Sequence, residues 1–161
     1  MAPPSEDRGH AITYAIRTAR PADLERLRDI YREASLANVG DRVQLLSRPD
    51  LLVLSDDAVR QQRCRIAVGP DDQLLGFSSH LVAGDAVELE DLFVAPSAWR
   101  RGVGRALVRD VVSIAQSLDR TRITVTTNPN ALAFYESVGF VFDCDVATEL
   151  GPAARFSIDL S

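Results

Sequence analysis

The chain has 161 residues, 46% of them hydrophobic and 25% charged, with a formal net charge of −5. That is the size and composition of one globular domain able to bury a single core. No apolar run approaches the roughly 20 residues that cross a bilayer, and the acidic balance argues against general nucleic-acid binding, which needs a basic face.

Residues 1–10, with Pro3, Pro4, Ser5, Glu6 and Asp7, lack the apolar centre of an export signal. They are expected to form a disordered lead-in to one domain over residues 11–161. Cys64 and Cys144 fall in different expected strands without zinc-type spacing, which favours free thiols in a reducing cytoplasm over a disulfide or a metal site. Ile12 to Arg17 reads as an opening strand. Pro21 and Asp23 then announce a helix whose apolar positions Leu24, Leu27, Tyr31 and Ala34 recur at helical spacing. From Ser35 to Pro49 the pattern weakens, with Gly40 and Pro49 as breakers, and a second helix is expected loosely between Asp50 and Gln62.

Arg63 to Val68 and Leu74 to Val82 are apolar runs joined by the turn cluster Gly69-Pro70-Asp71-Asp72-Gln73, an antiparallel hairpin. After Gly84-Asp85, a third strand runs from Ala86 to Val94, and Pro96 stops it by withholding an N–H. A helix follows with Val103, Leu107, Val111, Ile114 and Leu118 on one stripe, a face that a sheet must cover. Arg122 to Thr127 is a β-branched strand and Asn130 to Val138 a short helix ended by Gly139. Phe140 to Val146 and Arg155 to Leu160 supply the last strands. The order is that of a mixed α/β layered domain.

The turn between the third strand and its helix carries the chemistry. Gly102 and Gly104 lie at the helix entrance, where missing β-carbons let a bulky anion approach unpaired N–H groups and the positive end of the helix dipole. Arg100, Arg101, Arg105 and Arg109 surround that mouth, which suits a ligand with more than one phosphate. The alternative is a solvated arginine rim. The Gly-x-x-x-x-Gly-Lys-Ser/Thr loop is absent and Leu107 stands where a dinucleotide loop has its third glycine, which disfavours ATP and NAD.

Three segments resemble the GCN5-related N-acetyltransferases, the GNAT superfamily. Ile16-Arg17-Thr18-Ala19 with Asp23-Leu24 is similar to its opening strand and helix. Leu92-Phe93-Val94-Ala95-Pro96, followed by Gly102-Val103-Gly104-Arg105-Ala106-Leu107, resembles its acetyl-CoA signature. Asn128-Pro129-Asn130-Ala131-Leu132-Ala133-Phe134-Tyr135-Glu136, ending in Gly139-Phe140, is similar to its later motif. One departure is visible: the signature has Gln or Arg three residues before its first glycine, and here Trp99 holds that place.

The resemblance implies a mixed, mostly antiparallel central sheet with helices on both faces, and transfer of an acetyl group from acetyl-CoA to a primary amine of a small molecule or protein. It implies that the N–H groups of Arg101, Gly102, Val103, Gly104, Arg105 and Ala106, with Arg100, hold the pyrophosphate. The main chain of Leu92, Phe93 and Val94 would pair with the pantetheine arm, and Asn128, Ala131 and Tyr135 would complete the cofactor side. Tyr135 matches the family tyrosine that protonates the departing thiolate, with a core aromatic as its rival reading. Glu88, Glu90 and Asp91 sit on the strand beside the thioester. Glu88 falls where lysine-acetylating members carry their base, Glu90 lies one pleat nearer the cofactor segment, and alternation puts both on the face opposite Asp91. The choice among them stays open, as does a structural role for His80. A homodimer is admitted because many members pair, although no stretch marks an interface. The competing reading is a non-catalytic acyl-CoA sensor or interaction domain.

Overall fold

Strands β1 (Ala15–Thr18), β2 (Cys64–Val68), β3 (Leu74–Ala83), β4 (Ala86–Val94), β5 (Arg122–Thr127), β6 (Val141–Thr148) and β7 (Gly151–Asp159) form one sheet in the order β1-β2-β3-β4-β5-β7-β6. The structure is a computed structural model that describes residues 14–37, 39–128, 131–148 and 151–160. The expected lead-in, the start of the first expected strand, and Pro129 and Asn130 of the later motif lie outside the described residues. All neighbouring strands pair antiparallel except β4 and β5. A parallel pair needs a long crossover, and helix α4 (Val103–Ser117) supplies it.

Helices cover both faces, as the fold expectation requires. On one face α1 (Leu24–Ala37) lays Leu27 and Ile30, both fully buried, against Cys64, Ile66 and Phe77. On the other, Val103 and Leu107 of α4 pack on Ala67 and Leu75, while Val108, Val111 and Ala115 pack on Val87, Leu89, Ile123 and Val125. A short helix α5 (Leu132–Ser137) adds Tyr135 to the same cluster. The even residues of β2 face α1 and the odd ones face α4, which is the period-two alternation of a strand buried on both sides.

The expected helix over 50–62 is replaced by shorter pieces. Helix α2 (Val39–Ser47) forms despite Gly40, a 3-10 turn spans Pro49–Leu52, and α3 is only Asp57–Arg60. Two apolar anchors explain the rearrangement, since Leu45 and Leu52 are both buried and tertiary burial outweighs the helix penalty of one glycine. The Ser55 hydroxyl then accepts the Asp57 N–H at 3.2 Å and opens α3 afresh. β7 starts at Gly151, earlier than the expected Arg155, because its first residues continue the β6–β7 ladder as far as Thr148 opposite Gly151.

Candidate active site

Strands β4 and β5 begin together and then part. Their parallel pairing runs from Ala86 opposite Arg122 to Leu89 opposite Val125. Beyond that point β4 stays with β3 as far as Val94 opposite Gly76, while β5 stays with β7 to Thr127 opposite Ala154. A β-bulge sits where they separate: Ser79 pairs with Asp91 and His80 with Leu89, so Glu90 is the extra residue. A bulge bends its strand and raises the local twist, which turns the end of β4 away from its neighbour. The Ala95 N–H bonds the Leu75 carbonyl at 2.8 Å. By ladder alternation Ala95 and Phe93 therefore point their main-chain groups at β3, whereas Leu92 and Val94 point theirs into the gap. Phe93, expected alongside them, gives its main chain to β3 and its ring to Tyr31 at 4.9 Å and Phe77 at 5.7 Å between centroids.

The glycine corner closes one end of this gap. A 3-10 turn over Pro96–Ala98 leads to Arg100 at φ +64° and Gly102 at φ +82°. The left-handed region costs a non-glycine residue about 1 kcal/mol, so Arg100 is held there by its surroundings. Two side-chain bonds flank it: the Tyr14 hydroxyl donates to the Gly102 carbonyl at 3.0 Å, and the Trp99 indole N–H donates back to the Val94 carbonyl at 2.8 Å. Gly102 is the N-cap of α4, and the first rung of the helix is the Ala106 N–H to the Gly102 carbonyl. The N–H groups ahead of that rung are unclaimed by the helix. A Cβ at Gly104 would lie 3.1 Å from the Phe134 ring, so glycine is what lets α4 and α5 close on each other here. Among the described residues Arg100, Arg101, Arg105 and Arg109 enter no ion pair, and Arg105 reaches the Ser137 carbonyl at 3.5 Å. Such a corner binds anions through amides, dipole and guanidinium groups together.

On the α1 side of the gap a cavity of about 350 Å³ is lined by Tyr31, Leu54, Ala58, Cys64 and Phe77, with Asp57, Arg63, Ser79, Glu90 and Asp91 as its charged and polar groups. Three carboxylates to one guanidinium make it acidic. The bulge decides which carboxylates reach it. Leu81 pairs with Glu88 and Ser79 with Asp91, so Glu88 and Asp91 share a face of the sheet. Simple alternation places them on opposite faces, and the extra residue at position 90 overturns it. Glu88 nevertheless lies below the parting point, in the hands of Arg155 at 3.0 Å and the Thr124 hydroxyl. Glu90 takes the Arg63 guanidinium at 2.6 Å, and the same nitrogen donates to the His80 carbonyl at 2.9 Å. Asp91 accepts only the Ser79 hydroxyl among the described contacts, at 2.5 Å. Burial pushes its pKa up; the Ser79 bond opposes the rise, Glu90 adds to it and Arg63 opposes it again.

Tyr135 is buried beyond the gap, edge-on to Phe134 and Phe140 at 5.1 and 5.3 Å. Burial drives its phenol pKa up, and the Asp91 carboxylate drives it further, so the two groups feel each other across the opening. Asn128 lies just past β5 and Ala131 just ahead of α5, both half-buried. His80 does not line the cavity: strand alternation turns Ser79 into it and His80 away, buried with its Nδ1 unpartnered. Sequence reasoning missed Tyr31, Arg63 and Ser79. Tyr31 was legible only as an apolar helix position, and the other two carried no signal without the bulge.

The comparisons with known proteins agree with this geometry. The model of the acetyltransferase (GNAT) family matches residues 24–140. Streptothricin acetyltransferase of Streptomyces lavendulae is 29% identical over 159 residues, covering 83% of this chain and 84% of that protein. The peptidyl-lysine N-acetyltransferase YjaB of Salmonella typhimurium is 29% identical over 125 residues, covering 78% and 81%. Among solved structures, the PaiA N-acetyltransferase from Thermoplasma acidophilum in complex with coenzyme A superposes with a TM-score of 0.71 at 18% identity, over 92% of this chain and 99% of that one. The apo form of YjaB from Escherichia coli gives a TM-score of 0.67 at 26% identity, over 92% and 98%. With the parted strands, the glycine corner and a family match over most of its length, the chain belongs to the GNAT acetyltransferase family and is an acetyl-CoA-dependent N-acetyltransferase.

Proposed function

We propose that this enzyme, a single domain over residues 11–161, acetylates a cationic primary amine that enters the acidic cavity between α1 and β4. The observation that carries the reading is the parting of β4 and β5, with Leu92 and Val94 turned into the gap between the arginine corner and the carboxylates. The corner fits a pyrophosphate because the N–H groups ahead of the Ala106 rung are left over by the helix and, among the described residues, its arginines enter no ion pair. We assign that role to Arg100, Arg101 and the amides of Gly102 to Arg105; the Ala106 N–H, expected among them, is spent on the Gly102 carbonyl. Leu92 and Val94 would pair with the amide-bearing arm as an added strand does. Asn128 and Ala131 lie where they can flank it.

Acetyl-CoA supplies the acyl group as an activated thioester. The chain must supply a neutral amine, and an ammonium with the pKa of lysine, about 10.4, is neutral only about one part in 10³ at pH 7, a handicap of roughly 4 kcal/mol. Asp91 is our candidate to remove that proton. It faces the cavity, among the described residues no cation is paired with it, and its raised pKa makes it a stronger base than an ordinary carboxylate. Glu90, held by Arg63, adds negative potential at the rim, and Glu88, the other expected base, is bound by Arg155 and Thr124. Tyr135 stays protonated across the working range and can donate a hydrogen bond to a thiolate at the gap. Its high pKa favours a shared proton over full transfer.

The relatives named for streptothricin and for peptidyl-lysine differ in acceptor, and the cavity is large enough for a small amine or one lysine side chain. We take the enzyme to work in the cytoplasm, with no nucleic-acid or membrane partner, and we carry a homodimer in the proposal without an assigned interface. Among the described residues no helix is long and apolar enough to cross a membrane. Thiol release from acetyl-CoA across a panel of amines tests the reading: diamines and lysyl peptides should outrun neutral aromatic amines, and equal rates would overturn it. Equilibrium sedimentation tests the dimer, and a single species of monomer mass removes it.

A further inference from the structure

We infer that Trp99 is a positioning residue for acetyl-CoA, bracing the end of β4 against the pyrophosphate corner through its indole N–H. The brace has three parts. The Ala95 N–H bonds the Leu75 carbonyl at 2.8 Å and fixes the last turn of the strand to β3. The Ala98 N–H returns to the Ala95 carbonyl at 2.8 Å and the Trp99 N–H to the Pro96 carbonyl at 3.2 Å, so the chain folds back on itself in one short turn. The indole then reaches over that turn to the Val94 carbonyl at 2.8 Å. Val94, with Leu92, turns its main chain into the gap, and Trp99 immediately precedes Arg100, a non-glycine residue held left-handed. One side chain thus links the segment that pairs with the arm to the segment that holds the phosphates.

Two consequences follow from the chemistry. The indole N–H fills one lone pair of the Val94 carbonyl and fixes the direction in which the other points, which sets the register of an added strand. It also resists relaxation of Arg100 toward ordinary backbone, which would swing the following amides out of a common focus. The ring itself is 46% exposed, so it contributes to the corner by its donor more than by burial. Gln at this position carries an N–H donor at similar reach; Phe keeps the ring and removes the donor.

The inference rests on the cofactor placement proposed above, and the experiment separates the two. Trp99→Phe should raise the KM for acetyl-CoA and its dissociation constant five- to twentyfold, with kcat at saturation within twofold. Trp99→Gln should return both constants to within twofold of the starting protein. An unchanged KM in Trp99→Phe overturns the inference, as does an equal rise in Trp99→Gln, which would make the ring the cause. Circular dichroism and the melting temperature accompany each variant. If Trp99→Phe fails to fold, Trp99→Leu replaces it as the variant without a donor: a raised KM that Trp99→Gln does not share upholds the brace, and an unchanged KM removes it. The chain has a single tryptophan. Titrating the unmutated enzyme with coenzyme A should therefore change its emission, and calorimetry on the same sample reads affinity independently. No calorimetric binding at all would sink the cofactor placement itself, whereas binding undisturbed by Trp99→Phe would sink only the brace.

Discussion

A carboxylate whose pKa rises on folding opposes the fold when it ionises, and Asp91 is such a group. The native state holds its proton above the unfolded value of 3.8, so the stability it contributes is present below that value and lost as pH rises through the folded pKa. Asp91→Asn, which cannot ionise, is expected to keep or raise the melting temperature at pH 7 while lowering kcat/KM on the order of 10²-fold and removing the acidic limb of its pH profile. Full kcat/KM in that variant would move the base to Glu90, Glu88 or water. Tyr135→Phe should lower kcat by a modest factor with both substrates saturating, and no change would end its role as donor. Cys64, on the cavity floor, has its thiol pushed up to about 12, first by burial and then by Asp91. At pH 8 iodoacetamide should therefore label the exposed Cys144 and spare Cys64, as read by peptide mass spectrometry. Early loss of Cys64 would mean that the cavity opens more than its packing indicates.

At the scale of elements, α4 serves two ends at once. Its first turn forms the corner, and its buried stripe of Val103, Leu107, Val108, Val111 and Ala115 anchors the helix on the sheet. Leu107 is fully buried between Ala67, Leu75 and its neighbours, so Leu107→Ala should cost about 2–5 kcal/mol in urea unfolding. Arg65 links the same helix to two strands, meeting the Asp110 carboxylate with two bonds of 2.8 Å and the Thr18 hydroxyl at 2.9 Å. His80 lies buried on this face of β3. Burial lowers its pKa and Arg63 lowers it further, while Asp110 and Glu90 pull the other way. For a histidine depressed in the folded state, the unfolded chain takes up the proton first. The stability it contributes is full above pH 6.5 and falls as pH drops through the folded pKa. The unfolding free energy should therefore decline on acidification below about 6.5, and His80→Gln should flatten that decline.

For the whole molecule the question is how a parallel pair is made to open in an otherwise antiparallel sheet. The alternating strands, the stripe on α4 and the glycine corner were all readable, because each depends on residues near one another in sequence. The limits of β4 and β5 agreed with the sequence reading, and so did the corner between β4 and α4. Residues 39–62 read poorly because Leu45 and Leu52 are buried by packing between elements, which local spacing does not announce. Ligand binding should be visible at this scale as well: coenzyme A at a hundred times its dissociation constant should stabilise the fold by about 2.7 kcal/mol and raise the melting temperature measurably. An unmoved transition would detach the fold from the proposed cofactor corner.

The sequence by itself determined the family, the glycine corner and the set of three carboxylates on one strand, since these are matters of residue type and local spacing. Which of these carboxylates line the cavity was decided only by the tertiary structure. One extra residue at Glu90, clasped by Arg63 just ahead of β2, reverses the alternation that a reader of the sequence must assume. A bulge is a mismatch between two strands, and a mismatch is not written in either strand alone.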